Sequence, residues 1–307
     1  VKTYSVVVPV YYNADSLLPL YERLQTVEAE LATRNIALEL VFVDDGSGDH
    51  SFEQLKKIKQ QRSATTIIKL ARNYGAVTAS KTGLQHVTGD CATILAADLQ
   101  DPPTLLLDMV DHWLNGEKFV ICVREKRQDS PLSMAFSNLY YFLLRRLVST
   151  RYPRGGFDMM LVDKSFLHVL QNSGKNTNLQ LLAYWTGHNP VVIDYVRPQR
   201  PYGKSRWSFF KRLRFLLDSL LGFSIVPVRI ISLIGLFVSF LSFAYGTLVV
   251  IGGLRGAIDA PGFATVTALV TFLLGLVIIM MGIIGEYVIR IFDEINKRPE
   301  SVIDEIY

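Results

Sequence analysis

A mostly parallel α/β sheet followed by a membrane-anchoring helical hairpin is the fold class this sequence predicts. Three observations carry it. Apolar strand-like runs alternate with helix-like stretches through the first half of the chain, the pattern of a sheet covered on both faces. Several of those runs end in carboxylates, prolines and glycines, where open α/β sheets bind ligands. Two late segments are apolar enough over their whole length to cross a bilayer.

Half of the 307 residues are apolar, which allows a sizeable core plus attachments. The apolar excess lies in the last third, whereas the chain before about Tyr195 mixes charged and apolar residues as soluble domains do. Cys91 and Cys122 sit in separate apolar runs and read as small core residues rather than a disulfide or metal pair, which suits a reducing, cytosolic face. The net charge of +4 is modest, but Arg197, Arg200, Lys204, Arg206, Lys211, Arg212 and Arg214 crowd into one stretch. No secretory signal precedes the first strand, and a start at Val1 leaves room for a few residues upstream.

In order, strands are expected at Tyr4 to Val10, Leu38 to Val43, Thr65 to Leu70, Cys91 to Ala96 and Phe119 to Val123. Helices are expected from Asp15 to about Thr33, Ser51 to Arg62, Val77 to Val87 and Leu105 to Asn115. The first strand ends in Pro9-Val10-Tyr11-Tyr12-Asn13, where proline halts the ladder and leaves a ring and an amide at the sheet edge. The second ends in Asp44-Asp45-Gly46-Ser47-Gly48-Asp49. Adjacent carboxylates with glycines suit a ligand bearing hydroxyls and ring edges; a solvated turn with Asp49 capping the next helix fits as well. The fourth run leads into Ala97-Asp98-Leu99-Gln100-Asp101-Pro102-Pro103, which also reads as a strand-to-helix turn capped by Asp101. Three such edges on one sheet favour a ligand site.

Pro9-Val10-Tyr11, Asp44-Asp45-Gly46-Ser47, Ala71-Arg72-Asn73-Tyr74-Gly75 and Ala97-Asp98-Leu99-Gln100-Asp101-Pro102-Pro103, in this order, resemble glycosyltransferase family two with its GT-A, Rossmann-like fold. More narrowly they resemble the polyprenyl-phosphate glycosyltransferases, which include dolichyl-phosphate mannose synthases and bacterial glucosyl carrier synthases. The resemblance implies that Pro9, Tyr11, Asn13, Val43 and Asp45 line a nucleotide-sugar pocket, and that Asp98 and Gln100 share a magnesium or manganese ion with the donor diphosphate. It also draws attention to departures: Ala96 stands where the family's Asp-Ala-Asp-x-Gln element has its first aspartate, and Asn13 where a glutamate is usual. One carboxylate fewer leaves a weaker protein cage, completed by diphosphate oxygens and water.

By the same resemblance Arg124 meets the diphosphate, as its planar guanidinium suits; a surface arginine is the plainer reading. Asp158, in Arg154-Gly155-Gly156-Phe157-Asp158, becomes the candidate catalytic base, set against a buried aspartate that merely holds the loop. An acceptor phosphate monoester has a second pKa near about 6 and is already largely dianionic at neutral pH, so Asp158 has as much reason to orient as to deprotonate. Arg200-Pro201-Tyr202-Gly203-Lys204-Ser205-Arg206 resembles the family's Arg-x-Tyr-Gly-x-Ser-Lys/Arg element, which implies that Arg200 and Arg206 bind the donor diphosphate, the lipid phosphate or both.

Pro131 to Val148 is amphipathic, either core or membrane-facing. From Phe209 to Leu221 an apolar face opposes Lys211 and Arg212, the pattern of a helix lying in an anionic membrane surface; Lys204, Arg206, Lys211 and Arg212 are its expected phosphate contacts. Spans run from about Ile225 to Leu254 and from Phe263 to Gly285, joined by a short connection, with Arg229, Arg290, Lys297 and Arg298 marking the cytoplasmic side. Glu286 and Arg290 form an interfacial pair one turn apart, and Asp293 to Tyr307 reads as a mixed-charge helix or extension.

The organisation expected is therefore a cytoplasmic catalytic domain over 1–200, with an interfacial helix at about 131–148, an interfacial region over 201–224, spans over 225–290 and a cytoplasmic tail over 291–307. The activity implied is inverting transfer of a sugar from a nucleotide-diphosphate donor, by resemblance UDP-glucose, to undecaprenyl phosphate at the cytoplasmic face of a bacterial inner membrane. Membrane lipids are partners, nucleic acid is not, and a homo-oligomer is compatible with the reading. A processive polysaccharide synthase is the rival enzyme, but its Gln-x-x-Arg-Trp element would need glutamine where Gly203 stands before Arg206-Trp207. A non-catalytic nucleotide-sugar-binding scaffold, suggested by Ala96 and Asn13, is opposed by the retention of Asp98, Gln100, Asp158, Arg200 and Arg206.

Overall fold

The structure is a computed structural model that describes residues 1–125, 131–175, 177–198, 216, 218–224, 226–255, 262–296 and 298–307. Two compact units emerge, one formed by Val1–Gly222 with Pro299–Tyr307, the other by Phe223–Arg298.

The first unit is built on an eight-stranded sheet. Strands β1 (Lys2–Val10), β2 (Ile36–Asp44), β3 (Thr66–Leu70) and β4 (Cys91–Ile94) pair in parallel, with β1 central between β4 and β2. Their β-branched runs are buried on both faces, as parallel strands require. Tyr4, Val6, Val8 and Val10 face a core closed by three helices: α1 (Ala14–Thr33), α2 (Ser51–Gln61) and α4 (Leu105–Leu114). Helix α1 contributes Leu17, Leu20, Leu24, Val27 and Leu31, spaced so that one stripe meets the sheet. On the opposite face, α3 (Ala76–Leu84) lies against Val7 and Val43.

Beyond β4 the sheet becomes mixed. Strand β5 (Phe119–Arg124), helix α5 (Pro131–Leu147), strand β6 (Met159–Asp163), helices α6 (Lys164–Gln171) and α7 (Leu179–Trp185) and strand β7 (Val191–Tyr195) follow. Strand β6 inserts antiparallel between β4 and β5, while β5 and β7 are parallel, giving the order β7-β5-β6-β4-β1-β2-β3-β8. The alternation pattern left β6, β7, α6 and α7 unread because each is only five to eight residues long. Cys91 and Cys122 are free and buried, and burial lifts both thiols, that of Cys122 to about 12.

Two helices make the second unit, α8 (Val226–Leu254) and α9 (Phe263–Ile295). Each contains an apolar stretch of spanning length, Val226–Leu248 and Phe272–Ile295. The second stretch runs later than the expected Phe263 to Gly285, and α9 continues unbroken through Glu286 and Arg290, whose side chains approach to 4.0 Å.

The tail contains both of the expected forms, helix up to Ile295 and an extended strand near its end. Residues 299–307 belong to the first unit, and Ile303–Ile306 forms β8, antiparallel to the edge strand β3. Ile67 and Tyr307 exchange backbone hydrogen bonds of 2.9 and 2.8 Å, and Lys69 meets Asp304 at 2.6 Å. Upstream, Glu300 reaches the buried Lys81 at 2.6 Å and Ser301 bonds Thr82 at 2.7 Å. An edge that would expose unpaired backbone groups is thereby covered.

Candidate active site

Because β6 runs antiparallel, the residue preceding it lies at the same edge as the carboxyl ends of β4 and β5. Asp158 is that residue, and its N–H donates to the Cys122 carbonyl at 3.0 Å. Strands β5 and β7 bring Arg124 and Tyr195 into register at this edge. The loops after β1, β2, β3, β4, β5 and β7 and the one before β6 lie at this edge.

The first three are interlocked. Tyr12 N–H donates to Ser47 Oγ at 3.1 Å and Asn13 N–H to Ser51 Oγ at 2.9 Å, tying the β1 loop to the β2 loop. Asp45 accepts from the backbone of Tyr74 at 2.7 Å and Gly75 at 2.9 Å, tying β2 to the loop before α3. Gly46 is required here: its φ of +66° is left-handed, and a Cβ would strike the backbone of Arg72. Asp49 does not cap α2 with its side chain from the N-cap position, which His50 occupies; its carboxylate accepts from Ser51 and Ala14 instead.

Among the expected nucleotide residues, Pro9 and Tyr11 are half-buried at the edge. Asn13 turns its Oδ1 back to the Tyr11 N–H at 3.0 Å. Both oxygens of Asp45 are engaged with the following loop, and Val43 is wholly buried. The Asn13 and Asp45 contacts fix the loop positions. Asp44 Oδ2, by contrast, is buried without a hydrogen-bond partner, and burial raises its carboxyl above the ordinary range.

Asp98 and Gln100 flank Leu99, whose φ of 61° is a strained conformation for a bulky residue; Tyr12, at 57°, is the other edge residue so placed. Each such residue costs about 1–3 kcal/mol, recovered here by surrounding contacts. Leu99 is buried, Gln100 N–H donates to Asp98 Oδ1 at 3.1 Å, and Ser16 Oγ donates to the Ala97 carbonyl at 2.6 Å. No group of three or more acidic, histidine or cysteine side chains able to hold a metal occurs among the described residues. One carboxylate and one amide are hard oxygen donors that fit magnesium or manganese only as part of a shell completed by other oxygens.

Asp101 is a correction to the capping expectation. It caps no helix: Thr104 precedes α4, and Asp101 is buried in a network with Tyr195, Asp158, Arg124 and Arg197. Arg124 donates twice to Asp158, from Nε and Nη2, at 2.5 Å each. Arg197 lies 3.2 Å from Asp101 and 3.6 Å from Asp158. The Tyr195 hydroxyl sits 2.9 Å from Asp101 and 2.7 Å from Asp158, and its single proton serves one carboxylate at a time.

Two carboxylates and two guanidiniums thus balance. Burial by itself would raise Asp158, but the Arg124 hydrogen bonds and charge, helped by Arg197, hold it below the ordinary carboxylate range. Burial lifts Asp101 to about 6 against the pull of Arg197. Burial would lower Arg124, and Asp158 reverses that. A carboxylate held this firmly in its ionised, twice-donated state is a poor proton acceptor and a good holder of arginines. Tyr195 escaped the sequence reading and Arg197 entered it only as one of a basic cluster, although a short apolar run ending Asp194-Tyr195-Val196-Arg197 repeats the manner in which β5 ends in Arg124. Arg200, Lys204, Arg206, Lys211 and Arg212 lie outside the described residues.

Residues 5–170 match the profile of glycosyl transferase family 2. An undecaprenyl-phosphate 4-deoxy-4-formamido-L-arabinose transferase of Klebsiella pneumoniae is 31% identical over 100% of this chain and 94% of its own. A prophage-derived bactoprenol glucosyl transferase of Shigella flexneri is 28% identical over 97% and 96%. Among solved structures, glucosyl-3-phosphoglycerate synthase from Mycobacterium tuberculosis, in complex with Mn2+, uridine diphosphate and glucosyl-3-phosphoglycerate, superposes with a TM-score of 0.50 at 17% identity. That match covers 71% of this chain and 80% of the synthase. The likeness is one of fold, the GT-A sheet.

Proposed function

The chain belongs to glycosyl transferase family 2 and is an enzyme of that family; from that premise we propose that it moves a hexose from a nucleotide-diphosphate donor to polyprenyl phosphate at a membrane surface. Glucose from UDP-glucose is the donor we favour, undecaprenyl phosphate the acceptor, and the cytoplasmic face of a bacterial inner membrane the location. The near full-length likeness to transferases named for undecaprenyl phosphate and bactoprenol supports the acceptor. The return of residues 299–307 to the first unit, and Arg229 and Arg298 flanking the spans, fit a hairpin with both ends cytoplasmic.

The observation that carries the reading is the Arg124–Asp158–Arg197 cluster at the edge that also bears the Asp98 loop. Two guanidiniums fixed by one carboxylate form a rigid receptor for phosphate oxygens. In this mechanism an oxygen of the acceptor phosphate attacks the anomeric carbon from the side opposite the diphosphate. The new C–O bond forms as the old one breaks, the diphosphate leaves with the electron pair, and the anomeric configuration inverts. No proton need be removed from a phosphate that is already dianionic, so Asp158 acts by holding Arg124 and Arg197 rather than as a base. Asp98 and Gln100 would hold a magnesium or manganese ion shared with the donor, which supplies charge neutralisation for the departing diphosphate. Pro9, Tyr11 and Asn13, with the loop fixed by Asp45, would receive the nucleoside.

Incubating the purified full chain with polyprenyl phosphate, magnesium or manganese and a panel of nucleotide sugars tests this. A lipid-linked monosaccharide is expected, and Asp98→Ala should abolish it. A polymer would overturn the reading in favour of a synthase, and donor binding without turnover in favour of a scaffold.

A further inference from the structure

The turn that carries Asp98 and Gln100 is clamped at both ends. Before it, Ser16 Oγ donates to the Ala97 carbonyl at 2.6 Å. After it, the buried Asp101 has its Oδ1 2.9 Å from the Tyr195 hydroxyl. Between these anchors Leu99 holds its left-handed φ of 61°, a conformation that persists only where the surroundings impose it. A tie at Asp101 therefore helps to set how the turn presents Asp98 and Gln100.

The same hydroxyl also meets the arginine cluster. It lies 2.7 Å from Asp158 Oδ2, the oxygen to which Arg124 Nε donates. Arg197 spans the same two carboxylates less well: its Nε is 3.2 Å from Asp101 but buried without a hydrogen bond, and its Nη1 is 3.6 Å from Asp158. Of the two side chains, Tyr195 makes the aligned connection. Its place is fixed by the sheet. The ring belongs to the core with Cys122, Met159 and Leu161, and the Tyr195 carbonyl accepts from the Glu125 N–H at 3.1 Å. Rotation of the O–H alone passes the hydrogen bond from one carboxylate to the other while the ring stays still. Phenylalanine would fill the same core position with no polar atom to desolvate, so packing gives no reason for the oxygen.

We propose that Tyr195 is a positioning residue that couples the divalent-cation turn to the arginine cluster, so that the ion and the guanidiniums engage one nucleoside diphosphate together. The inference rests on the transferase reading for the identity of that ligand and goes beyond it in assigning the coupling to one hydroxyl. With Ala96 leaving a single carboxylate and an amide on the turn, an ion there depends on diphosphate oxygens to complete its shell. The same diphosphate is the ligand of Arg124 and Arg197 in that reading. Turn and cluster then have to fit one ligand at one spacing, and Tyr195, tied to Asp101 on one side and Asp158 on the other, sets that spacing. Deleting the hydroxyl leaves each half its own groups and removes their alignment.

The test measures binding of UDP and of GDP to the full chain in detergent by titration calorimetry, with and without manganese. In the wild type, manganese should tighten binding of one of the two. Tyr195→Phe should cut that enhancement about tenfold, the scale of one hydrogen bond to a charged group. Metal-free affinity should change by less than about twofold, because Arg124 keeps both bonds to Asp158. A role in folding alone would not move this ratio. Asp101→Ala should lose as much, and the double variant no more than either single one, since the two groups act as a unit. Asp101→Asn keeps an acceptor for the hydroxyl and should retain most of the enhancement; the two Asp101 variants carry the comparison if Tyr195→Phe lowers stability. Wild-type enhancement in Tyr195→Phe, or additive losses in the double variant, would overturn the coupling. Absence of manganese-enhanced binding in the wild type would overturn the metal-assisted donor site, and this inference with it. No sugar is transferred in the measurement, so a chain that binds as expected yet forms no lipid-linked sugar would sink the transferase reading alone.

Discussion

At the residue scale the proposed chemistry depends on side chains whose partners are far away in sequence. Asp158 and Arg124 are bonded across 34 positions, and Asp101 and Tyr195 across 94. Asp158→Asn keeps the shape but removes the charge that fixes both arginines. Turnover should fall about 100-fold, the usual effect of a misplaced reacting group, with donor affinity changed by less than about twofold. Steady-state kinetics with separate donor titration checks this, and wild-type values for both would remove Asp158 from the site. Asp101 gives a pH signature. Folded, it keeps its proton to about 6, whereas the unfolded chain releases it near the model-peptide value of 3.8. Between those values the folded form binds more protons, so the stability that Asp101 contributes falls as pH rises, then levels above about 6. Asp158 acts oppositely, its contribution being present above the ordinary carboxylate range and lost as pH falls below it. The stability difference between wild type and Asp101→Asn, followed by denaturant unfolding from pH 4 to 7, should therefore decline and then flatten; a pH-independent difference would refute the assignment.

At the scale of elements, β8 is the feature the sequence concealed. Ile303-Asp304-Glu305-Ile306 is too short and too charged to announce a strand, and only the exposed edge of β3 gives it a partner. The Lys81–Glu300 pair pins its approach, and side-chain exposures of 6% and 21% put it largely out of solvent. Removing one partner of a buried pair leaves an uncompensated charge, so Glu300→Ala should destabilise the first unit by about 2–4 kcal/mol. Lys81 keeps the carbonyls of Ser173 and Gly174, which places the loss toward the lower end. Lys81→Met with Glu300→Leu should recover most of the loss, since neither charge then remains buried. Chemical denaturation measures both, and a neutral Glu300→Ala would show that the pair is not needed to hold the tail.

At the scale of the whole molecule, the chain leaves the first unit after Gly222 and returns at Pro299, so the two apolar helices form an excursion from one folded unit. If both ends face the cytoplasm, a cysteine at Asp259 in the 256–261 connection should react with an impermeant thiol reagent added to intact cells, and one at Glu305 should not. Burial of Cys91 and Cys122 keeps the background low. Labelling of Glu305→Cys alone would invert the topology.

The sequence by itself determined the layered α/β order up to Val123, the turn after β4 that carries Asp98 and the presence of two long apolar helices, because those depend on periodicity and on local turn chemistry. It also singled out Asp158 and Arg124 as candidates. Only the tertiary structure decided which groups surround them. The antiparallel insertion of β6 carries Asp158 to the carboxyl edge of β5, and the parallel pairing of β7 sets Tyr195 and Arg197 beside it. Those are non-local pairings between short strands, and a five-residue run carries too little periodicity to specify its neighbour. Within the network Asp158 is paired with two arginines and held ionised, which favours the orienting alternative over the base, because a carboxylate's protonation is set by the charges that reach it in space.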